Sequence, residues 1–272
     1  MDMMSRLPTA FLRARLELIE EKIDGLPIIR VGRHRDMPIV REYITENGVK
    51  KHREHLLSSV ASQELLKMAK YREDLLLSKR QIINCLASAH GSDETINSQT
   101  NTRFGSVFWN ALQSCSLEAP TDSSYLHGGY RMRSRGEVMI AQVLDSLGLE
   151  YKYEPKIIVG EEEYYPDFAV WLPEFGRCFL IEFLGMLDSQ NYAYKNGIKL
   201  GNYLNRGLVL NRDLLIFCGT KTSMPTADEI AEDIIALITK FCRIYSSGDR
   251  MARNGTPSCT TFGLKHVHDV IL

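Results

Sequence analysis

The sequence predicts an α/β fold, with a mixed β-sheet between helices over residues 127–245 and a mainly helical module before it. Short runs rich in aromatic and β-branched residues, typical of strands, alternate there with longer amphipathic runs typical of helices. The apolar run at residues 213–218 follows a helix-length segment, which favours a parallel pairing with an earlier strand. With 272 residues, the chain is long enough to bury a sizeable core.

Three further elements are predicted in this region. Residues 151–155 resemble a strand, and residues 160–163 resemble a turn into the next strand. A last amphipathic helix begins at Thr226, and its apolar residues are expected to face inward: Ile230, Ile234, Leu237, Ile238 and Phe241.

Composition excludes several classes of protein. The chain is 44% apolar and 25% charged with a net charge of −1, as in ordinary globular proteins. No run approaches the roughly 18 apolar residues of a membrane span, and the N-terminus lacks the apolar core of a signal peptide. The six cysteines form no Cys-x-x-Cys pair, which indicates reduced thiols of a cytoplasmic protein, not a zinc site or a disulfide framework.

The predicted N-terminal module covers residues 1–89. Apolar residues at helical spacing predict a helix over 7–26, and residues 27–44 resemble two short strands around a polar turn. Residues 46–89 are helix-forming throughout, so we expect one long helix or two packed helices there. The hairpin is basic, and two interpretations remain open: it contacts phosphate, or it is a solvated surface.

Two other segments are expected to be irregular. Residues 90–126 are the predicted linker region, with a polar Ser/Thr/Asn-rich stretch at 90–103 and a short helix carrying Phe108 and Trp109 further on. That aromatic pair is more typical of a core than of a base-stacking surface. Residues 246–272 are punctuated by small polar residues and predict a flexible C-terminal tail.

Two carboxylates stand in a predicted acidic hairpin. Residues 165–172 and 179–185 resemble strands joined by a Pro/Gly loop, and pairing Leu172 with Arg177 places Asp167 opposite Glu182. Like charges opposed on one sheet face are destabilising unless a cation or a shared proton offsets them. The alternatives are that both point to solvent, or that a one-residue slip separates them.

Glu137 is the third acidic candidate. Ser134-Arg135-Gly136-Glu137 has the spacing of a capping box and opens an apolar-periodic helix over 138–147. Glu137 also falls on the stripe of that helix that should pack inward. Either Glu137 caps the helix, or it supplies a third oxygen for a hard cation.

Basic residues flank both carboxylate segments. Arg131, Arg133 and Arg135 precede the Glu137 helix, where they could bind a phosphate backbone or represent ordinary loop composition. A second predicted helix, ending near Asn205, places four residues on one stripe, which is either a solvated face or a surface over the carboxylates: Tyr192, Lys195, Lys199 and Tyr203.

These motifs together resemble the PD-(D/E)xK, or restriction-endonuclease-like, nuclease superfamily. More closely, they resemble a bacterial and phage branch that carries Arg-Ser-x-x-Glu, Pro-Asp-Phe, Glu-His-Leu-Gly-Met and a helical Lys. The matching segments here are Arg133-Ser134-Arg135-Gly136-Glu137, Tyr153-Glu154-Pro155, Tyr165-Pro166-Asp167-Phe168, Glu182-Phe183-Leu184-Gly185-Met186 and Lys199. The resemblance covers roughly residues 127–240, with a fainter likeness over the first 85.

The resemblance implies a Mg²⁺- or Mn²⁺-dependent nuclease that acts on DNA. It implies metal ligands at Glu137, Asp167 and Glu182, with Lys199 as the catalytic lysine. Contacts to nucleic acid are expected from residues around this site: Arg131, Arg133, Arg135, Tyr192 and Lys195. A homodimer or a partner protein is compatible with this reading, and no membrane is involved.

Two positions depart from the motif. Leu184 stands where the superfamily has a lysine two residues after the strand carboxylate, but in the branch that lysine lies on the following helix. Phe183 stands where the branch often has histidine. Phe183 favours an alternative function, a catalytically inactive nuclease-fold module that binds nucleic acid or a protein partner.

Overall fold

A computed structural model describes residues 3–46, 49–87, 104–117, 125–159 and 161–245. The chain divides into two compact units, residues 12–91 and residues 1–11 together with 92–272. The predicted polar stretch at 90–103 and the predicted tail at 246–272 lie outside the described residues. Among the residues that are described, no helix has the length and apolar composition needed to cross a membrane.

The smaller unit contains most of helix α1, a three-stranded antiparallel sheet and a long helix. Their bounds are α1 Thr9–Asp24, β1 Ile28–His34, β2 Met37–Glu46, β3 Val49–Leu56 and α2 Val60–Ala87, with strand order β1-β2-β3. Arg35 and Asp36 form the turn between the first two strands, with φ of 48° and 66°. Two such residues in succession are typical of a tight hairpin turn, so the predicted basic hairpin is confirmed.

The predicted helix over 46–89 is wrong in its first part, because Val49–Leu56 is a strand. Its sequence is mostly charged and has no apolar period of 2, so strand formation depends on the neighbour it pairs with. The register places Arg41 opposite Glu54, and Arg41 Nε donates to Glu54 Oε1 at 2.8 Å. Cross-strand pairs of opposite charge therefore supply the specificity that apolar alternation normally supplies.

The larger unit is a mixed α/β structure. Its elements, in chain order, are α3 Ser106–Ala111, β4 Leu126–His127, β5 Tyr130–Arg131, α4 Arg135–Ser146, β6 Glu150–Tyr153, β7 Ile157–Val159, β8 Glu162–Tyr164, β9 Phe168–Leu172, β10 Arg177–Leu184, α5 Gln190–Asn205, β11 Leu214–Cys218 and α6 Ala227–Tyr245. The main sheet has the order β11-β10-β9-β6. Strand β10 runs parallel to β11 and antiparallel to β9, so the expected mixed sheet with a parallel last strand is confirmed.

The hairpin β9–β10 has the predicted register. Leu172 pairs with Arg177 and Phe168 with Ile181, so one further step places Asp167 beside Glu182. A 3₁₀ turn over Pro173–Phe175 joins the strands and ends at Gly176, whose φ of 59° suits glycine. Strand β9 begins at Phe168, not at Tyr165 as predicted; Pro166 just before it has no N–H for a ladder bond.

Helices cover both faces of the main sheet. On one face, α3 and α5 contribute Trp109 and Tyr203 to a cluster with Leu180 of β10. On the other face, α4 and α6 pack together, and the Arg177 guanidinium lies 4.7 Å from the centre of the Phe241 ring. All eight residues of β10 are buried as a result. The inward positions predicted for α6 are also confirmed, since all are buried: Ile230, Ile234, Leu237, Ile238 and Phe241.

Two small hairpins were not predicted. Residues 160–163 were expected to be a turn into the Asp167 strand, but Glu162–Tyr164 is a strand that pairs with Ile157–Val159. The β-branched run at 157–159 and the burial of Tyr164 in the main core explain this pairing. The second hairpin, β4–β5, leads into α4 and orders the segment that contains Arg131.

The described part of the predicted linker region belongs to the core. Phe104, Trp109 and Leu112 are buried with the α5 face of the sheet. Lys152 of β6 closes the end of the six-residue helix α3, because its Nζ donates to the carbonyl oxygens of Trp109 and Leu112, each at 2.6 Å. The ammonium also lies 4.3 Å from the centre of the Trp109 ring. Burial lowers the pKa of Lys152.

Candidate active site

Asp167 and Glu182 lie at the same end of the main sheet. Asp167 immediately precedes β9, Glu182 is near the end of β10, and antiparallel pairing brings these two positions together. Asp167 is half-buried and its Oδ2 accepts a hydrogen bond of 2.5 Å from the Phe183 N–H. Glu182 is 2% exposed. The alternative that both carboxylates point to solvent is therefore wrong for Glu182.

Helix α5 supplies the partners of Glu182. Lys199 Nζ lies 2.6 Å from Glu182 Oε1, and the Tyr203 hydroxyl donates to the same oxygen at 2.8 Å. Lys199 Nζ also donates to the Tyr165 carbonyl at 3.2 Å. The Lys199 side chain remains 28% exposed, so it reaches from solvent to a buried carboxylate. The structure therefore places the predicted lysine against a predicted carboxylate.

Glu137 belongs to a capped helix start, as one interpretation predicted, and it also lies on the buried stripe of α4. Ser134 is the N-cap of α4, and its Oγ accepts from the Glu137 N–H and donates to Glu137 Oε1 at 2.8 Å. The Glu137 side chain also turns inward and is buried, and its Oε2 accepts from the Tyr153 hydroxyl at 2.7 Å and from the Arg133 N–H at 2.9 Å. Both oxygens of Glu137 thus have donors from the protein.

The three carboxylates share one electrostatic environment. Desolvation raises the pKa of Asp167 well above its usual range, and the charges of Glu182 and then Glu137 raise it further. The Phe183 N–H and Lys199 oppose that rise in the pKa. Desolvation also raises the pKa of Glu182, against the lowering effects of Lys199 and Tyr203. Of the three carboxylates, Asp167 is therefore the one whose charge is least compensated by a neighbouring cation. A bound cation would favour its ionised form.

Close packing of α4 on β10 brings these carboxylates together. Gly136 lies against the Phe183 ring, and a Cβ atom at position 136 would be 2.2 Å from two ring carbons. Only a residue without a side chain fits there. Because Glu137 follows Gly136 and Glu182 precedes Phe183, this contact sets the approach of one carboxylate-bearing element to the other.

The three predicted arginines have different surroundings. Arg133 forms an ion pair and a hydrogen bond with the buried Glu154, whose own N–H donates to the Asp167 carbonyl at 2.8 Å. Arg131 in β5 and Arg135 in the first turn of α4 are exposed. Arg133 is thus a structural partner of the Asp167 segment, while the other two face solvent near the N-terminus of α4.

The predicted stripe on α5 is divided in a similar way. Tyr192 is partly buried, and desolvation and then the charges of Asp167, Glu182 and Glu137 raise its pKa. Lys199 and Tyr203 contact Glu182 directly. Lys195 is exposed. The structure therefore shows direct contact with a carboxylate for two of the four stripe residues.

Sequence reasoning missed the hydroxyl donors. Tyr153 bonds Glu137, and Tyr203, which was noted only as part of the α5 stripe, bonds Glu182. Burial raises the pKa of both phenols above their usual value, so both stay neutral donors. Tyr153 is followed by Glu154 and Pro155 in a predicted strand, and a buried tyrosine needs a partner for its hydroxyl. The requirement of a buried tyrosine hydroxyl for an acceptor was the sequence signal that could have identified Tyr153 as a donor.

The side chains of this site suit a metal ion only in part. Across the described parts of the chain, no group of three or more His, Cys, Asp or Glu side chains is arranged to hold an ion. The pair Asp167 and Glu182 fits a cation chemically, since two neighbouring desolvated carboxylates gain most from one. Glu137 fits less directly. Both of its oxygens accept hydrogen bonds from the protein, and one of these bonds would have to break before that oxygen could bind the ion.

In comparisons with known proteins, no family, curated protein or solved structure matches the chain. The arrangement of carboxylates, lysine and tyrosines therefore has to carry the functional argument by itself.

Proposed function

We propose that this protein is a metal-dependent nuclease that hydrolyses phosphodiester bonds, with DNA as the expected substrate, on a restriction-endonuclease-like domain at residues 127–245. One observation carries the proposal: Lys199 contacts Glu182 at the sheet end where Asp167 also lies. Two desolvated acids beside a half-exposed lysine form a costly arrangement for a folded core. Such perturbed groups are concentrated at functional sites.

Asp167 and Glu182 are the proposed ligands of Mg²⁺ or Mn²⁺. Protein-bound Mg²⁺ commonly uses one or two carboxylates, with waters and substrate phosphate oxygens completing its octahedron. A bound ion lowers the pKa of a coordinated water and neutralises charge on the phosphodiester. Glu137 as a third ligand stays a prediction. Its negative charge acts on Asp167 whether or not it binds the ion.

Lys199 is the proposed catalytic lysine. Glu182 and the Tyr165 carbonyl hold its ammonium group at the edge of the site, with part of the side chain open to solvent. From there Lys199 can orient the attacking water and stabilise the negative charge that develops on the phosphorus-bound oxygens. Tyr203 is a positioning residue, because it fixes the carboxylate oxygen that Lys199 contacts.

Exposed basic residues are proposed to bind the nucleic-acid backbone. Arg131 and Arg135 lie near the N-terminus of α4, where the helix dipole also attracts phosphate. On α5, the exposed Lys195 and the partly buried Tyr192 are also proposed to contact the backbone. Arg133 contributes less, since its guanidinium is engaged by Glu154.

One observation favours the alternative function, a catalytically inactive module that binds nucleic acid or a protein. The side chain of Phe183 is buried against Gly136, with a second close approach to Gly185. An aromatic ring in that place offers neither a ligand atom nor a proton. Binding without cleavage is the outcome that this alternative predicts.

The test is cleavage of a supercoiled plasmid and of a labelled single strand with Mg²⁺ or Mn²⁺. Wild type is compared with Asp167→Asn, Glu182→Gln and the control Glu150→Gln, which removes an exposed carboxylate from β6. Circular dichroism confirms folding of each variant. We expect metal-dependent cutting by wild type and the control, and its loss in both site variants.

Other outcomes separate the hypotheses. A folded wild type that binds nucleic acid without cutting it supports the inactive module. Cutting that survives both Asp167→Asn and Glu182→Gln means that the activity comes from another site or from a contaminant, and the proposed site is then wrong.

A further inference from the structure

The edge strand of the smaller unit carries exposed arginines that the nuclease proposal does not use. Arg30 and Arg33 lie on β1, and Arg35 lies in the turn that follows it. All three are exposed, and within the described residues none of them forms an ion pair. Arg41 on the neighbouring strand differs, since Glu54 neutralises it across the sheet.

The whole sheet is basic in a chain that is not. Residues 28–56 contain seven Lys or Arg and four Asp or Glu, a net charge of +3, whereas the complete chain has a net charge of −1. Three histidines, His34, His52 and His55, lie in the same segment. Positive charge is therefore concentrated on this one small element, which suits a polyanion.

The remaining surface of the sheet is suitable for nucleotides. Tyr43 is 37% exposed; its ring centre lies 6.0 Å from that of His52, and the Arg30 guanidinium is 5.5 Å from it. Arginine matches phosphate with a planar fork of donors, and aromatic faces accept stacked bases. Arg30, Tyr43 and His52 thus lie side by side on one face of the sheet. Arg33 lies three residues further along β1 and projects from the other face, but because β1 is an edge strand, a backbone that follows this edge can reach both arginines.

We propose that Arg30, Arg33 and Arg35, which we call the arginine strand, bind the phosphate backbone of a nucleic acid. This inference rests on the proposed function for its choice of ligand, while its own support is the charge and exposure of the sheet. The arginine strand is a second binding surface for the class of polymer that the nuclease site is proposed to cleave. Single strands and duplexes share the backbone, and the test separates them.

The test measures binding of the full chain to fluorescent oligonucleotides, single-stranded and duplex, by anisotropy in EDTA. EDTA prevents metal-dependent cutting. The arginine-strand variant is Arg30→Gln/Arg33→Gln/Arg35→Gln. The control variant is Lys67→Gln/Lys70→Gln/Arg80→Gln, which removes the same charge from exposed positions on α2 in the same unit.

We expect the arginine-strand variant to bind at least about tenfold more weakly, with little change in the control. Each lost phosphate contact should reduce the slope of log affinity against log salt, by about 0.7 for single strands and about 0.9 for duplexes. A larger loss with single strands assigns the surface to unpaired nucleic acid, where Tyr43 can stack on bases. Equal losses assign it to the backbone alone.

Charge on an edge strand also prevents sheets from joining edge to edge, so the oligomeric state of each variant is measured by size-exclusion chromatography. An arginine-strand variant that binds as tightly as the control overturns the inference, whether or not it aggregates. A wild type that binds neither oligonucleotide also overturns it. Cleavage is measured separately. Binding through the arginine strand without cleavage contradicts only the proposed nuclease activity. Cleavage by a protein whose binding does not change when the three arginines are replaced contradicts only this inference.

Discussion

The four-stranded main sheet and the three-stranded sheet of the smaller unit have opposite effects on the pKa of their carboxylates. In the larger unit, β10 is buried along its whole length, and burial raises the pKa of Glu182 and of its neighbour Asp167. In the smaller unit, Glu54 lies on an exposed sheet, and hydrogen bonds from Arg41 and His34 lower its pKa to about 2.

The difference separates a carboxylate that stabilises the fold from carboxylates that reduce its stability. Glu54 improves strand pairing, because Arg41 stands directly opposite it in the register of β2 and β3. Asp167 and Glu182 bring desolvated charge into a sheet that would pack better without it. Charges that weaken a fold are the ones that need a functional explanation.

The largest effect is expected for Lys199. Lys199→Met keeps the apolar stem and removes the ammonium that contacts Glu182, so kcat for cleavage should fall by about 10²–10³-fold, as for other lost electrostatic donors. Lys195→Met on the same helix is the matched control and should change binding more than kcat. Equal losses of kcat in the two variants would contradict the assignment of Lys199.

Gly136 should show the next largest effect, on stability. Gly136→Ala forces a Cβ into the Phe183 ring, and overpacking of this kind costs about 1–3 kcal/mol in the free energy of unfolding. Urea denaturation measures the loss. Gly201→Ala in α5, where a Cβ has open space around it, should instead stabilise by about 0.4–1 kcal/mol.

The cause of the Gly136 effect can be isolated with a double-mutant cycle. The cost of Gly136→Ala should shrink when Phe183→Leu is also present, because the clashing ring is gone. An unchanged cost would locate the strain elsewhere in α4.

Asp167→Asn should raise stability in EDTA, by up to about 1 kcal/mol, since it removes a like charge from beside Glu182. A raised pKa in the folded protein means that the protonated form of Asp167 contributes stability below the pKa of the unfolded chain. That contribution disappears as pH rises through the folded pKa. The advantage of the variant should therefore grow from pH 4 upward and then level off, as measured by thermal unfolding.

Added Mg²⁺ should make wild type more stable than Asp167→Asn, the reverse of the order expected in EDTA. An ion that binds only the folded state stabilises it by mass action, so wild type should gain thermal stability with Mg²⁺ and Asp167→Asn should gain little. The same increment in both proteins would exclude Asp167 as a ligand.

The smallest effect is expected for Glu54→Gln. A lowered pKa contributes stability above the ordinary value of 4.5 and loses it as pH falls through about 2. The variant should be slightly less stable at pH 5–7, with the difference vanishing toward pH 2. Carbon-13 NMR of the carboxyl groups, with the variant for assignment, should find Glu54 titrating near 2; titration near 4.5 would remove the contrast with Asp167.

Sequence patterns predicted the larger unit better than the smaller one. Hairpin register, the parallel last strand and the buried stripe of α6 follow from apolar period and loop length, which are local properties. Strand β3 was missed because its apolar content is low and its partner, β2, decides its conformation. The β7–β8 hairpin was missed because consecutive glutamates resemble a turn when the pairing of Tyr164 is unknown.

The site was predictable in its acids and less so in their partners. Asp167 and Glu182 follow from one register argument, whereas Lys199 was implied by the family resemblance together with its place on a helical stripe. The partners Tyr153 and Glu154 come from a different strand, and no sequence spacing relates them to Glu137 or Arg133. Which donor meets which acceptor depends on how elements stack in three dimensions.

Helix α3 depends on a strand that comes 40 residues later. Six residues are too few for a helix to persist alone, and a lysine from β6 occupies the carbonyl oxygens at its end. The helix is consequently not stable by itself and must form and melt together with the sheet. Its hydrogen-bonded amides, such as those of Trp109 and Leu112, should exchange with solvent only when that sheet opens, which makes them reporters of the cooperativity of the unit.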